Sequence, residues 1–138
     1  MVLTLEADYA VRIVDDLAQS KRIVDARTLS EHTRVPLRFA LKILRKLVAS
    51  GLIVSYKGAH GGYILAGPAE NITLRQVIES VEGPYMLSRC QQNDYSCTND
   101  TCCRFHDIYD EISAIVRNKL DSYTFGSIDS DKNEKGHE

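Results

Sequence analysis

Between Thr33 and Ala69 a proline-opened, glycine-closed helical pattern runs straight into two β-prone stretches around a glycine-rich turn, an order that few small folds accommodate. Pro36 suits the first turn of a helix, where a missing N–H costs nothing, and Gly51 suits the left-handed residue just beyond a helix end. Within residues 36–50, Leu37, Ala40, Leu44 and Leu47 mark one face, whereas Arg38, Lys42 and Arg45 mark another at spacings of three and four. One face packs and the other is cationic. Phe39, Leu41 and Ile43 exceed what a single narrow stripe hides, so some of them are expected to touch a ligand or partner. The run "LIVSYKGAHGGYILAG" reads as strands from Leu52 to Tyr56 and from Tyr63 to Ala66, joined by "KGAHGG", whose glycines permit positive φ.

The flanks supply more helix. Residues 4–20 place Ala10, Ile13, Val14, Leu17 and Ala18 on one apolar stripe, and Asp25 can cap a short helix running to about Thr33 with Leu29 facing inward. In "TLRQVIESVEGP", Thr73 and Gln76 stand at capping-box spacing, Leu74, Val77, Ile78 and Val81 form the stripe, and Gly83-Pro84 is the stop. From about Arg104 to Tyr123, Phe105, Ile108, Ile112, Ile115, Lys119, Leu120 and Tyr123 recur near every three and a half residues, which implies a helix partner. That partner is the parent domain or a second copy, and the coiled-coil-like spacing favours a homodimer. The ending "SIDSDKNEKGHE" is polar and expected to be disordered. The fold class is therefore mainly α with a small β-hairpin wing. Its regions are a DNA-reading unit at 1–84, a cysteine-rich loop at 85–103, a dimerisation helix at 104–124 and a tail at 125–138.

The formal net charge of −2 hides an uneven distribution. No Asp or Glu occurs from Thr33 to Ala69, while Arg34, Arg38, Lys42, Arg45, Lys46 and Lys57 all fall there. Helix, short helix, turn, helix and glycine-tipped hairpin is the order of a winged helix-turn-helix, which lays its second helix in the major groove and its hairpin on the flanking backbone. Arg38, Lys42 and Arg45 would lie on the inserted helix, with Lys57 and His60 at the wing tip, facing double-stranded DNA. A charged row on an amphipathic helix is otherwise its solvated face, but solvated faces mix signs and this window does not. The chain has no stretch of membrane-span length and begins without the features of a secretory signal, so a soluble cytoplasmic protein is expected. It also lacks a phosphate loop, a Cys-x-x-Cys pair and a nucleophile–base set, so an enzyme is not expected.

All four cysteines, Cys90, Cys97, Cys102 and Cys103, lie in "RCQQNDYSCTNDTCCRFH", which closes on His106. In a reducing compartment such a cluster points to metal or redox chemistry rather than cross-links. Thiolates suit zinc and iron–sulfur centres alike, and imidazole completes either. The wide gaps fit a bulky cluster better than paired zinc knuckles. A structural zinc, a thiol–disulfide sensor and unligated surface thiols are the alternatives. Adjacent thiols rarely both serve one small site, so one of Cys102 and Cys103 is spare. Cys103 and His106 stand three apart, a spacing that lets two helical residues share a face.

With "LTLEADYAVRIV", "LRFALKILRKLVASGLIVSYKGAHGGYIL", "NITLRQVIESVEGP" and the cysteine loop in view, the chain up to about Tyr123 resembles the Rrf-type winged-helix transcription regulators, in their cluster-binding branch. The resemblance implies a homodimer crossed through the long C-terminal helices. It implies a palindromic operator, and an affinity set by an iron–sulfur cluster that reports iron–sulfur status, redox stress or nitric oxide, most often as a repressor. On the same grounds Cys90, Cys97 and Cys103 match the three thiolate ligands, and His106 matches the fourth ligand of a two-iron cluster, the favoured form. Asp8 matches a carboxylate that some members lend to a four-iron cluster in the partner subunit, Cys102 is an extra thiol, and Lys57 takes the place of a wing arginine.

Overall fold

Helix α1 (Leu5–Ser20) is the element on which the others pack, because its Ala7, Ala10, Ile13, Val14, Leu17 and Ala18 are all buried. The computed structural model describes residues 2–88 and 102–128, and for Cys102 and Cys103 the backbone alone. The Thr4 hydroxyl caps α1 by accepting from the Ala7 N–H at 3.2 Å and itself donates to the Glu82 carboxylate. Asp25 caps α2 (Ala26–Thr33), taking the Thr28 N–H at 2.8 Å and the Thr28 hydroxyl at 2.9 Å. Those two bonds, the backbone one first, hold its carboxyl below the usual range. The turn that follows passes through Arg34 in the left-handed region, at φ 58°.

Helix α3 (Leu37–Ala49) ends at Ser50, and Gly51 then supplies the left-handed φ of 80°. Strands β1 (Ile53–Tyr56) and β2 (Gly62–Leu65) pair antiparallel, with Ile53 opposite Leu65 and Tyr56 opposite Gly62. Tyr63 also exchanges backbone hydrogen bonds with Val24 at 2.9 and 2.8 Å, which ties the wing to the segment between α1 and α2. That approach leaves no room for a side chain at Gly62, where a Cβ would lie 2.6 Å from the Val24 carbonyl oxygen. Helix α4 (Leu74–Glu82) carries the full capping box, with Thr73 Oγ1 accepting from Gln76 N and Gln76 Oε1 accepting from Thr73 N. The long α5 (Cys102–Asp121) packs beside α4. The mainly helical fold with a two-stranded wing is thus the one the sequence predicts.

Several details differ from the sequence reading, each for a physical reason. Pro36 is the residue before α3, extended at ψ 137°, rather than part of its first turn. The buried face of α3 is Ala40, Ile43, Leu44 and Leu47, and Leu37 is exposed. Ile43 joins the core cluster that holds Ile13, Val14 and Leu17 of α1. Helix α5 begins two residues before Arg104, so Cys102 and Cys103 hold helical backbone positions.

The largest correction concerns the tail, expected to begin at residue 125. Phe125 is 0% exposed and belongs to the core, and residues 125–128 form a helical turn. The chain pairs with the segment that enters α4, where Leu74 N donates to Tyr123 O at 2.9 Å and Phe125 N donates to Ile72 O at 3.1 Å. Residues 129–138 lie outside the described residues. Truncating Phe125 to alanine leaves an aromatic-sized hole, and a loss of about 3–5 kcal/mol is expected, read as a fall in the denaturation midpoint at unchanged m-value.

Candidate nucleic-acid interface and the cysteine-bearing helix

The side of α3 turned away from the core carries the predicted cations, but they are not equivalent. Arg38 is exposed, with its guanidinium 5.2 Å from the centre of the Phe39 ring. Arg45 is exposed and makes no ion pair or hydrogen bond among the described residues. Lys42 Nζ lies 3.7 Å from Glu6 Oε1 on α1, so part of its charge is spent within the fold. Lys46 is committed further, donating to that same oxygen at 2.9 Å and to the Val81 carbonyl at 3.3 Å. The Lys46 hydrogen bond, followed by the Lys46 and Lys42 charges, holds the Glu6 carboxyl below its ordinary value. Glu6 is therefore an anionic clamp between α1 and α3. Sequence reasoning missed it because the residues are forty apart.

Lys57 and His60 are exposed in the turn of the wing, where nothing among the described residues holds them. Arg34, also exposed, adds a cation at the turn between α2 and α3. The surplus apolar residues of α3 separate too. Ile43 is buried, and Phe39 meets the Tyr9 ring at a centroid distance of 6.1 Å. Phe39 and Leu41 both stay exposed.

Of the predicted metal ligands, Cys90 and Cys97 lie outside the described residues, and the side chains of Cys102 and Cys103 are not described. The backbone of α5 sets Cys102 and Cys103 four and three residues ahead of His106, which is partly exposed. Among the described residues no group of three or more candidate ligands converges. Asp8 is paired with Arg12 at 2.8 Å within its own helix. The chain that leads toward the cysteine-bearing segment is pinned on both neighbouring helices. Tyr85 N donates to Glu79 Oε2 at 2.8 Å, Leu87 N to the buried Ser113 Oγ at 2.9 Å, and Arg117 Nη1 to Tyr85 O at 2.7 Å. Arg75 bridges Glu79 and Asp121 at 3.0 and 2.7 Å, locking the C-terminal end of α5 to α4.

The outer edge of α5 is apolar and uncovered: Phe105, Ile108, Ile112 and Ile115 are all exposed, the last at 61%. The inner edge is held by Ser113 and the half-buried Leu120. No helix among the described residues is long and apolar enough to cross a membrane.

Residues 3–130 match the model of the Rrf2 family, described as an iron-dependent transcriptional regulator. The HTH-type transcriptional regulator IscR of Vibrio vulnificus is 30% identical over 133 residues, covering 95% of this chain and 79% of its own length. Among solved structures, T. potens IscR superposes with a TM-score of 0.75 at 23% identity, covering 98% of this chain and 90% of that one. CymR, the global cysteine regulator of B. subtilis, gives 0.74 at 21%, covering 94% and 97%. At such identities these two structures speak for the fold alone.

Proposed function

The chain belongs to the Rrf2 family of transcriptional regulators, and on that premise we propose that it is a homodimeric repressor whose grip on a palindromic operator is set by an iron–sulfur cluster. The observation that carries this reading is the donor set. Four thiols and an imidazole lie within one short segment that joins the DNA-reading part to a helix with an uncovered apolar edge. Thiolates and imidazole are the donors such clusters take. In this reading Cys90, Cys97, Cys103 and His106 hold a two-iron cluster and Cys102 is spare. Asp8 of the partner subunit is the weaker fourth donor, since it would first have to give up Arg12 at 2.8 Å. A bound cluster supplies an oxidation- and nitric-oxide-sensitive centre that no side chain provides.

What the chain itself supplies is the connection. The segment entering the loop hangs on Ser113, Arg117 and Glu79, and α4 ends where the Val81 carbonyl holds Lys46 of α3 and Glu82 holds Thr4 of α1. A shift of residues 83–88 is thereby passed to the cationic helix through hydrogen bonds and packed helix, as a two-state bias on DNA affinity requires. Residues 1–84 form the DNA-reading unit, 85–103 the sensing loop and 104–124 the dimer helix, and the molecule works in the cytoplasm.

Full-length protein purified without oxygen is expected to be brown and to contain iron and acid-labile sulfide. Alanine at Cys90, Cys97 or Cys103 should remove both, and alanine at Cys102 should keep them. Cluster removal should change affinity for the selected operator across a salt series. Stoichiometric zinc, or a colourless protein that loses DNA only when its thiols are oxidised, overturns the cluster and replaces it with a zinc or disulfide device.

A further inference from the structure

Outside its buried stripe of Ala40, Ile43, Leu44 and Leu47, α3 carries four exposed apolar side chains, Leu37, Phe39, Leu41 and Val48, and Leu41 is the one flanked by Arg38 and Arg45. The four are exposed to nearly the same extent, Leu41 at 36% and Phe39 at 38%, and Phe39 also meets the Tyr9 ring. Leu41 stands three residues after Arg38 and four before Arg45, so helical spacing puts it on the same side as these two cations, neither of which makes an ion pair or hydrogen bond among the described residues. Leu37, one turn earlier, is exposed as well and extends the apolar strip beside them. A lone exposed leucine is ordinary. One set between the arginines of a helix that enters the major groove is placed against base edges, and the apolar feature on those edges is the C5-methyl group of thymine.

We infer that Leu41 reads a thymine methyl in each operator half-site, with Arg38 and Arg45 fixing register on phosphates or guanine. This rests on the DNA-binding reading above and adds a specificity that cationic contacts cannot give, since phosphates are the same at every step.

The probe is the duplex most enriched from a randomised pool by full-length protein, compared with the same duplex carrying deoxyuridine for every thymidine. That exchange removes only the methyls from the bases. Wild-type protein is expected to bind the deoxyuridine duplex about tenfold more weakly, because each half-site then offers Leu41 a bare ring carbon in place of a methyl group. The Leu41→Ala variant should bind the thymidine duplex about as weakly as wild type binds the deoxyuridine one, with its own ratio between the two duplexes near one. Equal binding of both duplexes by wild type overturns the inference. A ratio that Leu41→Ala leaves unchanged assigns the methyl to another residue and overturns it equally. Failure to enrich any duplex sinks the DNA-binding reading instead, which keeps the two failures apart.

Discussion

Alanine in place of both Arg38 and Arg45 is expected to weaken operator binding by at least about a hundredfold and to leave the melting temperature nearly unchanged. Each arginine that meets a phosphate or a base edge contributes about 1–3 kcal/mol, and a dimer presents each of them twice. Neither residue makes an ion pair or hydrogen bond among the described residues, so the fold loses little when they go. Gel shifts over a salt series give the second signature. The slope of log affinity against log salt should flatten by about 0.9 for each phosphate neutralisation removed. Lys42→Ala is expected to cost clearly less than Arg45→Ala, because Lys42 shares Glu6 with Lys46 and is drawn toward α1. Equal losses at all three positions would mean that the Glu6 clamp opens on DNA, and no loss at any would remove α3 from the interface.

The second large effect is expected on assembly. Glutamate at both Ile108 and Ile112 should halve the mass seen in sedimentation and reduce operator binding to a nonspecific level. These residues, with Phe105 and Ile115, form an exposed row on α5 about a third of a turn round from Ser113 and Leu120. Burying such a row against a second copy is favourable at about 25 cal/mol per Å² of apolar surface, and two carboxylates at its centre oppose that burial strongly. Because the row does not face its own core, helix content should survive, and circular dichroism separates dissociation from unfolding. An unchanged mass would leave the row to some other partner.

How much of the fold and the site is legible in the sequence depends on the range of the interaction. The Thr73–Gln76 box, the Asp25 cap and the Gly51 helix end are contacts within a few residues, and each forms as its spacing predicts. The exchange of Leu37 for Ile43 on the buried side of α3 is not legible, since a three-and-four pattern fixes a stripe only to within one neighbouring row. Glu6 drawing on Lys42 and Lys46, and Phe125 closing the core, are pairings of residues far apart in the chain, which periodicity does not register. One aromatic next to a polar run is a weak signal; the alternation of Tyr123, Thr124 and Phe125 beside the Thr73 bridge shows what it means. The thiols suggest metal or redox chemistry by type and clustering, but spacing alone does not encode how their side chains would be arranged in space.

Phe125 also decides what kind of mechanical part α5 is. A helix moored only at its first turn would swing, and a partner gripping its outer edge would gain little purchase on the rest of the molecule. Here the far end is plugged into the hydrophobic centre and cross-braced through Arg75 and Asp121. The helix is thereby a beam set into masonry, and any torque applied along its face is delivered to the whole body, reading head included.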